Sequence, residues 1–80
     1  MDKKQLYEKI CDFYNCSFSY NEDGTVEDNS NDIDWSIKHK NIEDALKDWL
    51  FTMEESNEDS RDQADCMTWS KEELEFIKSL

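Results

Sequence analysis

The sequence predicts an α+β fold, in which three helices pack on a small two- or three-stranded antiparallel sheet within a single domain. The 80 residues include one glycine and no proline, so the backbone has few breakers of helix or strand. Aromatic residues make up 12% of the chain, which is high for a solvated segment. Apolar residues recur every three or four positions in some stretches and every second position in others. We therefore expect a folded domain, although the high net charge is typical of disordered chains.

The first helix is predicted over about Lys3–Tyr14. Asp2, followed three residues later by Gln5, forms a capping-box pattern with Asp in place of the usual Ser or Thr. An apolar stripe with helical spacing follows: Leu6, Ile10, Phe13 and Tyr14. The first three of these side chains are expected to enter the core.

A β-hairpin is predicted next. From Cys16 to Tyr20, apolar residues alternate with serines, which is the period of a strand with one polar face. The segment Asn21–Gly24 has the composition of a tight turn, because Asp and Gly tolerate a positive φ. Thr25–Glu27 is a candidate for a short return strand, which would be the third strand of the sheet, and Asp28–Asp32 is predicted to be a polar loop.

A further strand is predicted over Ile33–His39, where β-branched and aromatic side chains alternate with polar ones. Its apolar face consists of Ile33, Trp35 and Ile37. This face needs a cover of helices, because two strands alone are only marginally stable. His39 stands between two lysines and is predicted to lie at the surface or at the edge of the sheet.

The second helix has the most regular pattern in the chain and is predicted over Ile42–Glu55. Asn41 is a favourable N-cap, and acidic residues in the first turn suit the positive end of the helix dipole. The apolar residues lie on one helical face: Ile42, Ala45, Leu46, Trp49, Leu50 and Met53. The last four of these are expected to pack against the apolar face of the preceding strand.

The third helix is predicted to follow a polar stretch, Ser56–Asp65, which forms a loop or a frayed helical turn. Ser70–Glu73 is a complete capping box, and Trp69 and Leu74 stand at the positions of a hydrophobic staple. The buried side of this helix is expected to contain Leu74, Ile77 and Leu80.

The charge of the chain is the feature that bears most on function. Acidic residues number 21 and basic residues nine, for a net charge of −12. The solubility of a small domain needs a magnitude of only about 2–8. Negative charge disfavours direct binding to nucleic acid or an anionic membrane, so we expect a positively charged protein partner. Two groups of acids are predicted to contact it: Glu22, Asp23, Glu27, Asp28 and Asp32, and then Glu54, Glu55, Glu58, Asp59 and Asp62.

The sequence lacks a recognisable catalytic or metal-binding pattern. The stretch from Ser19 resembles a calcium-binding loop only in part, since the position that requires a bidentate Glu holds Ser30. His39 is the only histidine, so a histidine metal cluster is excluded and a general-base role has no supporting partner. With Gly24 as the only glycine, a phosphate-binding glycine loop is excluded. We therefore expect a non-enzymatic protein with no cofactor and no metal.

Cysteine usage and hydropathy favour the cytoplasm. Cys11, Cys16 and Cys66 are odd in number and form no paired motif, which indicates a reducing compartment. Neither a signal peptide nor a membrane-spanning run is expected. The scarcity of Ala, Gly, Pro and Arg favours an AT-rich bacterial or phage genome, so the expected location is the cytoplasm of a bacterial host cell.

In size, acidity and order of elements, the chain resembles small acidic inhibitors encoded by phages and mobile elements, the anti-restriction and anti-CRISPR proteins. The corresponding segments are Asp2–Tyr14, Cys16–His39, Ile42–Glu55 and Ser70–Leu80. The resemblance implies an inhibitor whose carboxylates stand in for phosphates and block the DNA-binding site of a host defence nuclease. We expect such a protein to act as a monomer.

An alternative reading is a non-enzymatic adaptor or regulator. Phe51 and Phe76 lie off the main apolar stripes of their helices, and aromatic residues are enriched at protein interfaces. In this reading the protein binds its partner through an apolar or aromatic surface, and the acidic residues serve only solubility and steering.

Overall fold

The computed structural model describes residues 2–31, 34–59 and 69–80. It confirms the predicted α+β fold, with three strands in one antiparallel sheet and the element order α-β-β-β-α-α. The elements are α1 (Lys3–Phe13), β1 (Cys16–Tyr20), β2 (Val26–Ser30), β3 (Ser36–His39), α2 (Ile42–Asp59) and α3 (Lys71–Lys78).

Helix α1 begins and ends as its sequence dictates, but its buried face is rotated from the predicted one. The Asp2 carboxylate accepts a hydrogen bond from the backbone N–H of Lys4 at 2.8 Å, which caps the helix. Asn15, in the left-handed region at φ 56°, reverses the chain after the helix. The buried residues are Leu6, Tyr7, Ile10 and Cys11.

The predicted core position of Phe13 is wrong, because this side chain is 56% exposed. The buried stripe of α1 centres on Tyr7 and Cys11, which leaves Phe13 at the edge of the helix. There its ring packs edge-on against the indole of Trp69, with ring centroids 5.2 Å apart.

The sheet has the strand order β1-β2-β3, so β2 is the central strand. Gly24, at φ 90°, allows the turn between β1 and β2, and the Asp23 carboxylate accepts hydrogen bonds from the backbone and hydroxyl of Thr25. The register places Phe18 opposite Asp28 and Asp28 opposite Ile37, so these three side chains share one face.

The boundaries of β2 and β3 differ from the predicted ones. Strand β2 continues through Asn29 to Ser30, where a polar loop was predicted, because it pairs with strands on both sides. Strand β3 is shorter than predicted and starts at Ser36. Asp32 and Ile33 lie outside the described residues.

Helices α1 and α2 cover the face of the sheet that carries Asp28, and α3 packs against α2. Leu46, Trp49 and Met53 are buried, as predicted for the apolar face of α2. Ile37 is 38% exposed and so departs from its predicted core position, because it lies on an edge strand. The buried apolar core consists of Leu6, Tyr7, Ile10, Cys11, Val26, Ala45, Leu46, Trp49, Met53, Trp69 and Ile77.

Helix α2 begins where predicted and ends later. The Asn41 side chain accepts a hydrogen bond from the backbone N–H of Asp44 at 2.9 Å, which is the expected N-cap. The helix continues to Asp59 because long-range contacts hold its last turns. The Ser56 and Tyr14 hydroxyls are 2.6 Å apart, and the Asn57 amide exchanges two hydrogen bonds with the backbone of Trp69.

The predicted capping box of α3 is confirmed. The Ser70 hydroxyl accepts from the backbone N–H of Glu73, and the Glu73 carboxylate accepts from the backbone N–H of Ser70 at 2.9 Å. Trp69 and Ile77 are buried, while Leu74 and Leu80 pack partly buried against the core. Within the described ranges, no helix combines the length and apolarity that crossing a membrane requires.

Candidate functional site

The predicted acidic group near the hairpin is divided by the structure. Glu22 and Asp23 are exposed in the turn. Hydrogen bonds from the Thr25 side chain and backbone lower the pKa of Asp23, so its carboxylate is ionised and part of the turn. Glu27 is half-buried on the outer face of β2, opposite Ser19 and Lys38.

Asp28 is not a surface carboxylate, and its predicted role in contacting a partner is wrong. Its side chain is fully buried, because the period of β2 turns it to the same face as Val26, beneath α1 and α2. Asp32, the last member of the predicted hairpin group, lies outside the described residues.

The second predicted group lies at the C-terminal half of α2. Glu54, Glu55 and Glu58 are exposed, and Glu54 lies 3.9 Å from the amine of Lys78. The backbone of Asp59 belongs to the helix. Asp62 lies outside the described residues.

The solvent-facing side of α2 carries a row of acidic residues around one phenylalanine, which we call the acidic face. Residues three, four and seven positions apart lie on one side of a helix. By this spacing the acidic face consists of Asp44, Asp48, Phe51, Glu55 and Glu58. Phe51 stands near its centre and is 70% exposed. The prediction that Phe51 lies away from the core is confirmed, whereas Phe76 is partly buried against it.

A second cluster, which the sequence did not predict, surrounds the buried Asp28. Three side chains converge on its Oδ2 atom, which accepts hydrogen bonds from the Tyr7 hydroxyl at 3.0 Å and the Trp49 indole N–H at 3.1 Å. The third donor is His39 Nε2, at 2.7 Å. Helices α1 and α2 and strand β3 thus each contribute one donor to a carboxylate of the central strand.

His39 bridges the buried carboxylate and the surface. The ring lies on the edge strand β3, as predicted, but it is turned inward and only 4% exposed. Its Nδ1 atom lies 3.0 Å from Asp48, which is 68% exposed, and its Nε2 atom contacts Asp28. Ionised carboxylates only accept hydrogen bonds, so both bonds form when both ring nitrogens carry protons.

The other titratable groups beside Asp28 are neutral at physiological pH. Burial, together with the charge of Asp28, raises the pKa of the Tyr7 hydroxyl well above its ordinary value. Burial likewise raises the pKa of the Cys11 thiol to about 12, which makes it a poor nucleophile at neutral pH. The Asp28 Oδ1 atom is buried and has no hydrogen-bond partner among the described residues.

A cavity of about 130 Å³ lies between β3 and α2, next to this cluster. We call it the tryptophan cavity, because the indoles of Trp35 and Trp49 form two of its walls. Their ring planes are inclined at 74°, with centroids 6.2 Å apart. The remaining lining residues are Ile37 and Thr52, with His39, Asp48 and Asp28 on the polar side.

Asp48 was missed because it lies among many acids and its role depends on a contact between α2 and β3. The alternation of Val26 and Asp28 was a usable signal, since a carboxylate two residues from a buried valine shares its face.

Among the described residues, no three acidic, cysteine or histidine side chains are arranged to hold a metal ion.

Comparisons with protein-family models, with curated proteins and with solved structures gave no match to this chain.

Proposed function

We propose that this protein is an acidic inhibitor that binds the nucleic-acid-binding surface of a basic protein, in the manner of a DNA mimic. The target class is a host defence nuclease, and the place of action is the cytoplasm of a bacterial host cell. The observation that carries the proposal is the acidic face of α2, a row of carboxylates on one side of a helix, of which Asp48, Glu55 and Glu58 are exposed, on a chain with a net charge of −12.

The charge density of this row approaches that of a nucleic-acid strand. From Asp44 to Glu58 the helix rises about 21 Å, at about 1.5 Å per residue. Four carboxylates of the acidic face fall within that length: Asp44, Asp48, Glu55 and Glu58. One DNA strand places about six phosphates over the same distance, at one per 3.4 Å of axis. The helix therefore offers about two-thirds of that linear charge density.

The distribution of basic residues supports the same proposal. Lys3 pairs with Glu43 at 2.6 Å, and Lys9 pairs with Glu73 at 2.8 Å. These lysines neutralise acids outside the acidic face. Helix α2 contains seven acidic residues and one basic residue, Lys47, so the helix carries a net negative charge. Such a charge accelerates association with a basic partner and makes the association sensitive to salt.

His39 supports a binding function over catalysis. Both of its ring nitrogens are within hydrogen-bond distance of carboxylates, at 2.7 and 3.0 Å, so both are engaged with protein groups in this arrangement. Cys11 is a buried, neutral thiol. A function that uses the surface charge requires neither residue.

The exposure of Phe51 favours a second candidate, an adaptor that binds its partner through an aromatic contact. An isolated phenylalanine that is 70% exposed suits an interface anchor. Because Phe51 lies within the acidic face, both candidates place the interface on α2. They differ in whether charge or the aromatic ring supplies the affinity.

The test is a capture experiment from a bacterial lysate with the tagged protein immobilised. Retained proteins are eluted with a salt gradient or displaced with excess duplex DNA, and then identified by mass spectrometry. The proposal expects a DNA-binding protein that leaves at moderate salt and is displaced by DNA. A partner that resists both salt and DNA, and is lost with Phe51→Ser, would establish the adaptor instead.

Two double variants with equal net charge test whether the partner contacts the acidic face of α2 or another acidic surface. Glu55→Gln with Glu58→Gln removes two charges from the acidic face. Glu72→Gln with Glu75→Gln removes two charges from exposed positions of α3. Both double variants have the same net charge, so a uniform electrostatic effect weakens capture equally in both. The proposal expects that only the α2 variant loses the partner.

A further inference from the structure

The geometry points to the tryptophan cavity as a receptor for one arginine side chain of the basic partner. That the arginine comes from a basic protein partner rests on the proposed function. The preference of the cavity for a guanidinium group is argued from its lining residues alone and can be tested without the partner.

The charge of the lining selects a cation. Asp28 and Asp48 contribute two negative charges, and His39 between them contributes at most one positive charge. The lining contains neither lysine nor arginine. The buried Oδ1 of Asp28 has no hydrogen-bond partner among the described residues, so this carboxylate keeps an unfilled acceptor beneath the cavity. A cation entering the cavity would lower the free energy of this arrangement, and an anion would raise it.

The aromatic walls favour a flat organic cation. One face of the Trp49 indole is covered by Tyr14, which stacks on it with centroids 5.0 Å apart and planes inclined by 14°. The Trp35 indole stands nearly perpendicular to Trp49 and is only partly buried. Two inclined indoles with a carboxylate at the opening form a site for cation–π contact. A guanidinium group stacks on such rings and also donates paired hydrogen bonds to a carboxylate.

The size of the cavity suits this group. A cavity of about 150 Å³ holds a benzene molecule, which has more heavy atoms than a guanidinium. The tryptophan cavity, at about 130 Å³, therefore accommodates a guanidinium with the end of its alkyl stem.

The cavity lies next to the proposed interface. Asp48 lines it, contacts His39 and belongs to the acidic face of α2. A partner arginine that meets Asp48 would therefore enter the cavity while the surrounding basic side chains meet Glu55 and Glu58. The cavity adds a single specific contact to an otherwise diffuse electrostatic surface.

The test uses ¹⁵N-labelled protein titrated with Nα-acetyl-arginine methylamide at constant ionic strength, followed by the indole N–H signals in NMR spectra. The citrulline analogue is the matched neutral probe, since it has nearly the same shape and no charge. We expect saturable shifts of the Trp35 and Trp49 signals with the arginine probe alone. The signal of Trp69, which is not in the lining, should stay unchanged.

Two single variants complete the test. Asp48→Asn should weaken binding of the arginine probe about tenfold, the effect of losing a hydrogen bond to a charged group. Glu58→Gln removes the same charge outside the cavity and should change the affinity less than twofold. Amide spectra of both variants establish that the fold is retained.

Equal shifts with the arginine and citrulline probes, or none with either, would overturn the inference. Equal effects of Asp48→Asn and Glu58→Gln would reduce it to general charge attraction and also overturn it. Equal binding of the corresponding lysine probe would overturn the assignment to guanidinium. None of these results bears on capture by the acidic face, so the inference and the proposed function fail separately.

Discussion

Carboxylates of the same chain occupy two opposite environments in this molecule. On the acidic face of α2, Asp48, Glu55 and Glu58 are exposed, and the helix contains one base, Lys47. In the interior, Asp28 is fully buried and accepts three hydrogen bonds on one oxygen atom. The contrast teaches that an acidic composition conceals two roles, since an exposed carboxylate adds to the external field whereas a buried one organises the core.

Asp48 and Asp28 show the contrast at a single histidine. Both carboxylates bind the His39 ring, yet one is 68% exposed and the other is completely buried. Water can replace the His39 contact at Asp48, whereas no solvent reaches Asp28. The same substitution at the two positions should therefore have unequal costs.

The largest expected effect on stability concerns Trp49, which lies on α2 and donates a hydrogen bond to the buried Asp28. Trp49→Ala should lower the free energy of unfolding by about 3–5 kcal/mol, the usual cost of deleting a buried tryptophan side chain. The variant also removes a donor to Asp28. Urea unfolding followed by circular dichroism measures the loss, with Trp35→Ala as a partly buried control. A cooperative transition close to that of the parent would contradict the core assignment.

The next effect compares the two carboxylates directly. Asp28→Asn should cost about 3 kcal/mol, because it removes a buried charge that accepts three hydrogen bonds. Asp48→Asn should cost less than about 1 kcal/mol, as is usual for an exposed ion pair. Denaturant unfolding of both variants gives the difference. Equal costs would mean that the Asp28 cluster contributes no more than a surface contact.

A smaller effect is expected from pH. Burial of Glu73 opposes its ionisation, but hydrogen bonds from Lys9 and Ser70 outweigh it and lower the pKa of this carboxyl below its usual 4.5. The resulting stability is fully present above about pH 4.5 and is lost as the pH falls through the folded-state pKa.

Glu73→Gln tests this contribution, because glutamine still completes the capping box but cannot pair with Lys9 as an anion. We expect the variant to be about 0.5–1 kcal/mol less stable than the parent at pH 7, a magnitude typical of a partly exposed pair. The gap should close once the pH falls below the folded-state pKa of Glu73. A gap that is independent of pH would show that charge at Glu73 is not responsible.

The smallest effect on stability is expected at the acidic face itself. Glu55→Gln with Glu58→Gln should change the free energy of unfolding by less than about 0.5 kcal/mol, because both side chains are exposed. Thermal unfolding measures this change. A loss above about 2 kcal/mol would mean that these two acids stabilise the fold. A loss of partner binding by the double variant would then say nothing about the acidic face as a binding surface.

The sequence predicted what depends on local pattern and missed what depends on contacts between distant segments. The apolar stripe around Leu46 and Met53, the N-cap at Asn41 and the capping box at Ser70 follow from short-range spacing, and the structure has all three. Phe13 and Tyr7 both lie near the stripe of α1, and only the packing of the helix decides which one is buried.

Predicting the buried cluster around Asp28 would have required the register of the sheet. Asp28 stands in a run of acidic and polar residues, and the composition of that run predicts a loop at the surface. Its burial follows from pairing on both sides of β2, which sequence spacing alone does not reveal. The inward orientation of His39 and the last turn of α2 likewise depend on partners 9 to 42 residues away.

The central claim is that the acidic face of α2 binds a partner in place of nucleic acid. The most direct test is the salt dependence of binding of the captured partner to the parent, to Glu55→Gln with Glu58→Gln, and to the α3 control variant. Binding to the parent should weaken steeply with salt, and the slope should fall clearly in the α2 variant while staying near the parent value in the control. Equal slopes for all three proteins would contradict the claim.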